Sequence, residues 1–549
     1  MEQQRNLLFI GLLVLTMFIF WSWGSDRVNK LVAEQQQLEQ TVPGAEDELT
    51  SGSTIRLLSD VLDMTVTLQG GDIIDVKLPK VMKTQGQSDP FELLMTTKGF
   101  VYQAQTGLVD RDGPDAKSRP LYRSQSQEYV LKEGENELQA ILEYEAEGVS
   151  YQKIFTLERG SYAPKILVKV NNGSERELKM AFFGRLKQTE DNSAIAETGA
   201  FGMVASAYRG TAYSTEDHRY EKVSLEDILD NGRKKENLSI PTKQGWVAMI
   251  QHYFVSAFVA DAQRENTIFT YGAPRENSTD AIIGIVTAPQ LIEPGQSAEF
   301  KTAMWLGPKD QDKMEELAPR LDLTVDYGWL WFLSIPLFKI LSFVHGIVGN
   351  WGVSIIVLTL IVRSLMFPLT KAQYTSMAKM RLLAPKMQEL RERYKDDRAK
   401  IGQETMKLYK TEHVNPLGGC LPLVIQMPIF IALYWMLMET TELRQSSFML
   451  WITDLSVYDP YFVLPILYGI SMFFLQKMSP TPITDPVQRK VFMAMPFVFT
   501  FMFCTFPAGL TLYWLVSNCF TIFQQTVIYR SLEKKGLGVK QTKNIPSKS

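Results

Sequence analysis

The stretch that decides the fold is "VSIIVLTLIVRSLMFPLTKAQ", Val353–Gln373. It belongs to an apolar run that begins at Trp351, and it carries Arg363 deep inside that run. A guanidinium stays charged at any physiological pH, and at the centre of a membrane span it costs roughly 2.5–3.5 kcal/mol on insertion scales. Such a residue is usually kept for a function. Counting 1.5 Å per residue, Arg363 lies roughly 18 Å below Trp351 and about 12 Å from Lys371, in the half of the span nearer the basic end. Snorkelling to the headgroups is one account of it, a polar interior the other.

Working outward, charge divides the chain. Met1–Asn350 hold 35 Lys/Arg against 48 Asp/Glu, net −13, whereas Trp351–Ser549 hold 22 against 12, net +10, which implies two different environments. Mostly apolar runs stand at Leu7–Trp23, Trp351–Leu369, Leu421–Met438, Tyr461–Phe474, Val491–Phe506 and Leu510–Ile528. They read as membrane-spanning helices, although Tyr461–Phe474 is short for the purpose. Lys371–Pro416 holds eleven basic and six acidic residues and the tail after Tyr529 six and one, whereas Glu439–Pro460 holds one and four. The positive-inside bias then puts the basic pieces and both termini in the cytoplasm.

"WLWFLSIPLFKILSFVHGIVGN", Trp329–Asn350, is also long enough to span. If it did, every later loop would change sides and the basic Lys371–Pro416 segment would be exported. Trp329 and Trp331 cluster at one end, and Ser334, Lys339, Ser342 and His345 recur at intervals of three to five. The segment reads as an amphipathic helix on the outer membrane surface, with an ordinary seventh span as the alternative. The first run ends in bulky Trp-Ser-Trp with no small-residue cleavage site, as an uncleaved signal anchor does.

From about Ile55 to Leu323 short alternating runs such as "MTVTLQGGDIIDVKLP" and "APKILVKVNNGSERELKMAFFGRL" are punctuated by Gly, Asn and Pro. This predicts an antiparallel β-sandwich, serving either as a sugar-binding module or as a folded spacer and docking surface. The expected order is a signal-anchor helix at 1–24, a solvated linker at 25–54, the sandwich at 55–325 and an interfacial helix at 326–350. Spans follow at 351–370, 417–438, 461–476, 491–507 and 508–529. Between them come a cytoplasmic helical hairpin at 371–416, an exported loop at 439–460 and a cytoplasmic loop at 477–490, and a basic tail closes the chain at 530–549. The fold class is a multi-span α-helical membrane protein of six transmembrane helices carrying a large exported sandwich.

Several chemistries are missing. His218, His252, His345 and His413 are scattered with no metal-type spacing, and the dipeptide Gly-Lys occurs nowhere, which excludes a Walker A loop. Cys420, Cys504 and Cys519 all lie in or beside the spans, so the exported domain needs no disulfide. No enzyme, cofactor, metal or small-molecule substrate is expected.

Thr359 lies one turn before Arg363, and Gln426, Ser517, Asn518, Thr521 and Gln524 stand within other spans, while the spans contain no Asp or Glu. A charge without a carboxylate partner requires water, so the expectation is a hydrated cavity that attracts an acidic or polar segment in transit. Of 24 methionines, 14 follow residue 350, which suits an adaptable apolar surface or is lipid-facing filler.

The runs "FPLTKAQYTSMAKM", "NPLGGCLPLVIQMPIFIALYWML", "FFLQKMSPTPITDP" and "FPAGLTLYWLVSNCFTIFQQ" resemble the YidC membrane-protein insertase family, in order and spacing along the whole chain. The resemblance implies a five-helix insertase core and a groove, open to cytoplasm and lipid, through which the exported parts of client proteins pass in the bacterial inner membrane. It makes Arg363 the groove charge, with Thr359, Gln426, Ser517 and Asn518 as polar lining. Client-helix contacts carry over to Met427, Pro428, Met502 and Trp514, where the last replaces a Tyr familiar in relatives. Implied partners are nascent membrane proteins, the Sec translocon, the lipid bilayer and the ribosome, the last through the hairpin and basic tail. Within the hairpin, Pro385 is expected to interrupt or restart the helix, and Lys395–Lys400 to bend it. A solute transporter and a carbohydrate-active exported domain are the competing classes; the chain shows no repeated halves of the transporter kind.

Overall fold

Alternation builds the first half of the chain. In Glu137–Ala146 and Val149–Glu158 buried and more exposed residues alternate almost strictly, and the two strands pair in register from Glu137 with Glu158 to Ala146 with Val149. The structure, a computed structural model, describes residues 53–534 apart from 84, 87, 98, 190–207, 235–236, 275–278, 395–396, 413–420 and 479–485. The expected signal anchor, nearly all of the linker, the tail beyond 534, His413 and Cys420 therefore lie outside the described residues.

Among the described residues the strands form two sheets. One runs Ser239–Thr242, Asn266–Pro274, Thr279–Thr287, Leu178–Thr189, Val101–Val109, Pro90–Thr96, Ile73–Met82, Asp63–Thr67, Thr54–Leu58 and Glu128–Val130. The other has Phe254–Val259, Ser297–Pro308, Lys165–Asn172 and Val149–Glu158 at its centre. Trp246, Phe155, Phe258 and Phe300 fill the core. The expectation of a purely antiparallel arrangement needs one correction: Thr54–Leu58 pairs in parallel with Glu128–Val130 at a sheet edge. A strand that short is reached by the long excursion after Val109, so a hairpin does not dictate its direction.

Val101–Val109 is buried along its whole length although it contains Gln103, Gln105 and Thr106. The segment after it folds back and supplies Asp115 and Arg119. Arg119 donates to Asp115 Oδ1 at 2.5 Å and also bonds Asp72, and Lys153 Nζ donates to the carbonyls of Gly70, Thr106 and Gly71 at 2.7, 2.8 and 3.1 Å. Burial pushes the Lys153 ammonium down to about 8.

After the strands come helices. α1 (Leu225–Lys234) and α2 (Gln311–Leu317) belong to the sandwich region; α3 (Trp331–Val348) and α4 (Trp351–Leu365) follow, joined by Gly349 at φ 65° and Asn350, whose side chain accepts from Val353 N at 3.0 Å as an N-cap. α5 (Phe367–Arg393) and α6 (Arg398–Thr411) make the hairpin, and α7 (Leu421–Glu439), α8 (Val463–Met478), α9 (Pro486–Phe503) and α10 (Ala508–Lys534) complete the chain. Contrary to expectation, α5 runs through position 385 without a break. The hairpin's own contacts offset the lost backbone bond: Lys386 Nζ pairs with Glu412 at 2.5 Å and Tyr409 Oη meets Met387 Sδ at 3.3 Å.

Among the described residues, one helix is by itself long and apolar enough to cross a membrane, Gly328–Val348, the same segment that the sequence reading lays on the surface. Its polar residues divide between two sides. Ser334 is buried, donating to Ala432 O at 3.1 Å, and His345 stacks on Trp351 at 3.9 Å, while Trp331, Phe332, Phe343 and Ile347 are exposed. Ser334 and His345 are used for packing on α7 and α4, while Lys339 is exposed on the outer side together with Phe332, Phe343 and Ile347. α4 and the first part of α5, Phe367–Lys379, would form a second candidate if taken as one span bent by 59°. Val424–Glu439, Val463–Met478 and Met493–Phe503 are shorter apolar helices.

Candidate functional site

The bend after α4 follows from its sequence. Pro368 has no N–H to give the preceding turn, and the chain restarts as α5 at Phe367. At the end of α4 the carbonyl of Val362 still accepts from Met366 N at 3.1 Å, and Gln524 Nε2 of α10 donates to Arg363 O at 3.0 Å. The guanidinium of the same residue reaches α10 and α7. Its Nε donates to Ser517 Oγ at 2.8 Å and its Nη2 also bonds that oxygen. With the amide oxygen of Gln426 facing the guanidinium, it accepts from Nη2 at 3.0 Å and Nη1 at 2.5 Å. Arg363 thus ties three helices together through neutral acceptors, and these partners include no carboxylate.

The residues named from sequence divide into groups. Arg363, Ser517 and Gln426 are brought together, and Thr359 lies one turn away, fully buried, with its hydroxyl donating to Ile355 O at 2.6 Å. Asn518 turns to another helix: its Nδ2 donates to Ser471 Oγ of α8 at 3.1 Å, and Ser471 donates to Tyr468 O at 2.6 Å. Thr521 Oγ1 donates back to Ser517 O at 2.7 Å. Ser471 was missed by the sequence reading, although a serine inside an apolar run is the same signal that found Ser517. Gln524 carries a further feature: its Oε1 is buried with no hydrogen-bond partner, beside the amide that holds Arg363.

The apolar candidates also separate. Met427 is exposed together with its neighbours Val424 and Ile425, and Pro428 lies within α7 just after it. Trp514 instead sits among rings, 4.4 Å from Phe430, 5.5 Å from Phe503 and 6.0 Å from Tyr468 between centroids. Met502 packs at the margin of the same core. A shallow depression of about 440 Å³ lies on another side of α4, lined by Val357, Leu360, Ile361, Ser364 and Leu365. Among the described residues no group of His, Cys, Asp or Glu is arranged to hold a metal.

On the sandwich side, α7 ends against the strands. Lys309 Nζ lies 3.5 Å from Glu439 Oε2, both buried, and His252 Nε2 donates to Met438 O at 3.0 Å. Burial pushes the His252 imidazole down to about 4, so it is neutral at physiological pH.

Two family models match the chain. Residues 54–340 match the YidC periplasmic domain, and residues 343–535 match the 60Kd inner membrane protein. The first alone covers more than half of the sequence. The chain belongs to the YidC family. As a YidC family member it is an inner-membrane protein that serves membrane-protein insertion, acts on nascent membrane-protein clients, and combines a periplasmic β-sandwich with a C-terminal helical region. Among solved structures it is similar to an active YidC insertase whose first transmembrane domain is resolved, at 17% identity over 88% of this chain and 93% of that one, TM-score 0.37. A galactose mutarotase-like protein from Lactobacillus casei is similar at 8% identity over 46% of this chain and 99% of that one, TM-score 0.31.

Proposed function

We propose that the chain crosses the inner membrane six times with both termini in the cytoplasm, and inserts clients through a hydrated groove that opens to cytoplasm and lipid around Arg363. The observation that carries this reading is the company of Arg363. Ser517 and Gln426 satisfy its hydrogen bonds but leave its charge whole. A full positive charge on a scaffold of neutral dipoles attracts acidic or polar segments at close range. Exposed Met427, beside Gln426 on α7, offers an adaptable contact to the client's apolar helix. Pro428, Met502 and Trp514 would flank that helix, and Thr359 and Asn518 would fix the polar wall rather than touch the client.

In this reading the protein is not an enzyme and needs no cofactor: free energy comes from apolar client segments entering lipid. The basic hairpin α5–α6 and the tail would meet the ribosome, and the protein would work alone or beside the Sec translocon. A photo-reactive residue at Gln426 or Met427 should crosslink to a ribosome-stalled client whose first span has just emerged, and one at Leu382 of the hairpin should crosslink earlier in synthesis. Crosslinks from the hairpin but none from either α7 position, at any client length, would refute the groove.

A further inference from the structure

The segment between α7 and α8 has two faces. Its polar side is fastened to the sandwich: Arg444 Nη2 and Gln445 Nε2 donate to Met82 O at 2.7 and 2.6 Å, and Gln85 Nε2 bonds Thr453 O. The other side presents Met449, Leu450, Val457, Tyr458, Tyr461 and Phe462, all exposed. Leu450, at 81% exposure, occupies the tip of a tight turn in which Phe448 N bonds Ile452 O at 2.9 Å and Ile452 N bonds Met449 O at 3.1 Å.

Leu450 and Phe462 both have φ of 55°, the left-handed region where Gly, Asn or Asp is favoured. At an exposed turn tip, leucine gains nothing from its own chain to offset that strain. The apolar side is nevertheless held outward by a firm frame. Ala508 N donates to Val457 O at 2.7 Å and Gly509 N to Leu455 O at 2.9 Å. Buried Asp459 accepts from Trp451 Nε1 at 2.9 Å, Tyr461 N at 3.0 Å and Leu464 N at 2.8 Å, and so fixes the turn and the start of α8 to one another.

The exposed patch does not stop at the loop. It continues without a polar break into Ile466, Ile470 and Phe473 on the outer face of α8. A membrane protein's outer helix face meets acyl chains, and tyrosines at the end of such a face mark headgroup level. A water-facing loop with a contiguous apolar patch of this kind would instead be an aggregation liability.

We propose that the apolar face of the Met449–Phe462 loop is embedded in the outer leaflet of the bilayer, a wedge that seats the base of the sandwich at a fixed depth through Arg444 and Gln445. The inference rests on the six-span reading above, and its test separates the two. In full-length chain with Cys420, Cys504 and Cys519 replaced by alanine, a nitroxide is attached singly at Met449→Cys, Leu450→Cys and Tyr461→Cys, with Ile470→Cys and Asp312→Cys as references. The protein is placed in vesicles of phosphatidylethanolamine and phosphatidylglycerol, with a water-soluble nickel chelate on both sides. A lipid-embedded loop gives an oxygen-to-nickel collision ratio roughly tenfold above that at exposed Asp312, since moving a polar chelate into hydrocarbon costs several kcal/mol. High nickel access at all three loop positions, with Ile470 still shielded, overturns the wedge and leaves the spans standing. Low access to both reagents shows a protein partner covering the loop and overturns it equally. Nickel access at Ile470 as well would remove the spanning helix and the inference together.

Discussion

Glu442 is a carboxyl in an uncomfortable place, and replacing it with glutamine should stabilise the junction between sandwich and helices in a pH-dependent way. It lies in the short turn Thr441–Leu443 after α7, and its Oε2 is buried without a hydrogen-bond partner. Burial, and beyond it the negative charges of Asp310 and Asp312, push its pKa from 4.5 up to about 7, while its own backbone N–H offsets part of the rise. The folded state therefore binds the proton more tightly than the unfolded one. Stability is highest below pH 4.5, falls as pH rises to about 7, and is flat above it. The full loss corresponds to about 3 kcal/mol, which screening through the part-exposed edge of the turn reduces to roughly 2 kcal/mol, a factor of about 30 in the opening equilibrium. Hydrogen exchange reads this locally, which matters because a protein with two folded regions has no single unfolding free energy. At pH 8 the amide of Arg444, bonded to Thr441 O at 3.0 Å, should be about 30-fold better protected in Glu442→Gln than in the parent, with little difference at pH 4.5. Equal protection at pH 8, or an equal gain at both pH values, would refute the reasoning.

Two other perturbations follow from the same geometry. Lys309→Met leaves Glu439 buried without its cation and should cost about 3–5 kcal/mol locally, whereas Lys309→Met with Glu439→Leu should recover most of that, as read by hydrogen exchange at the amide of Thr440, bonded to Met436 O at 3.1 Å. Ser517→Ala removes the acceptor for Arg363 Nε and should cost about 1.5–3 kcal/mol while leaving the charge in place; Arg363→Ala should abolish insertion of clients with acidic tails before those with neutral tails, and Arg363→Lys should keep the charge but not the two-sided grip on Ser517 and Gln426. Protease protection of client tails in vesicles separates these outcomes.

Legibility in the sequence depended on which physical signal each part carries. Alternation announced the sandwich because strands such as Val149–Glu158 bury every second residue. It could not announce Val101–Val109, whose Gln105 looks solvent-facing but is buried, donating to Asp72 Oδ2 at 3.1 Å and accepting from Arg185 Nε at 2.7 Å, and whose Thr106 carbonyl accepts from Arg119 Nη2 at 3.0 Å. That burial comes from tertiary contacts, and no local period encodes it. The parallel edge pair, Thr54–Leu58 with Glu128–Val130, is hidden for the same reason. At the candidate site, polar residues inside apolar runs marked Arg363, Ser517, Gln426 and Asn518, but a helix's face is not enough to say which partner a side chain meets. Asn518 follows Ser517 by one residue, so it points about 100° away and bonds α8 instead of the arginine. The family likeness implies Trp514 as a client contact, but its ring neighbours Phe430, Tyr468 and Phe503 on three other helices could not be read from the sequence.

The neutral partners of Arg363 have an electrostatic consequence. A carboxylate at hydrogen-bond distance would cancel the field of the guanidinium beyond a few ångströms and leave only a dipole. Ser517 and Gln426 do something different: their oxygens orient the guanidinium and offset part of its desolvation, yet they contribute no net charge, so the monopole survives. Gln524 fixes the backbone of the same residue at the end of α4, donating to its carbonyl. The arginine is thereby held in position from both ends, side chain and main chain, while its charge is left uncompensated by these contacts. Neutral acceptors meet both requirements, a fixed position and an unspent charge, which a buried ion pair such as Lys309 with Glu439 cannot meet together.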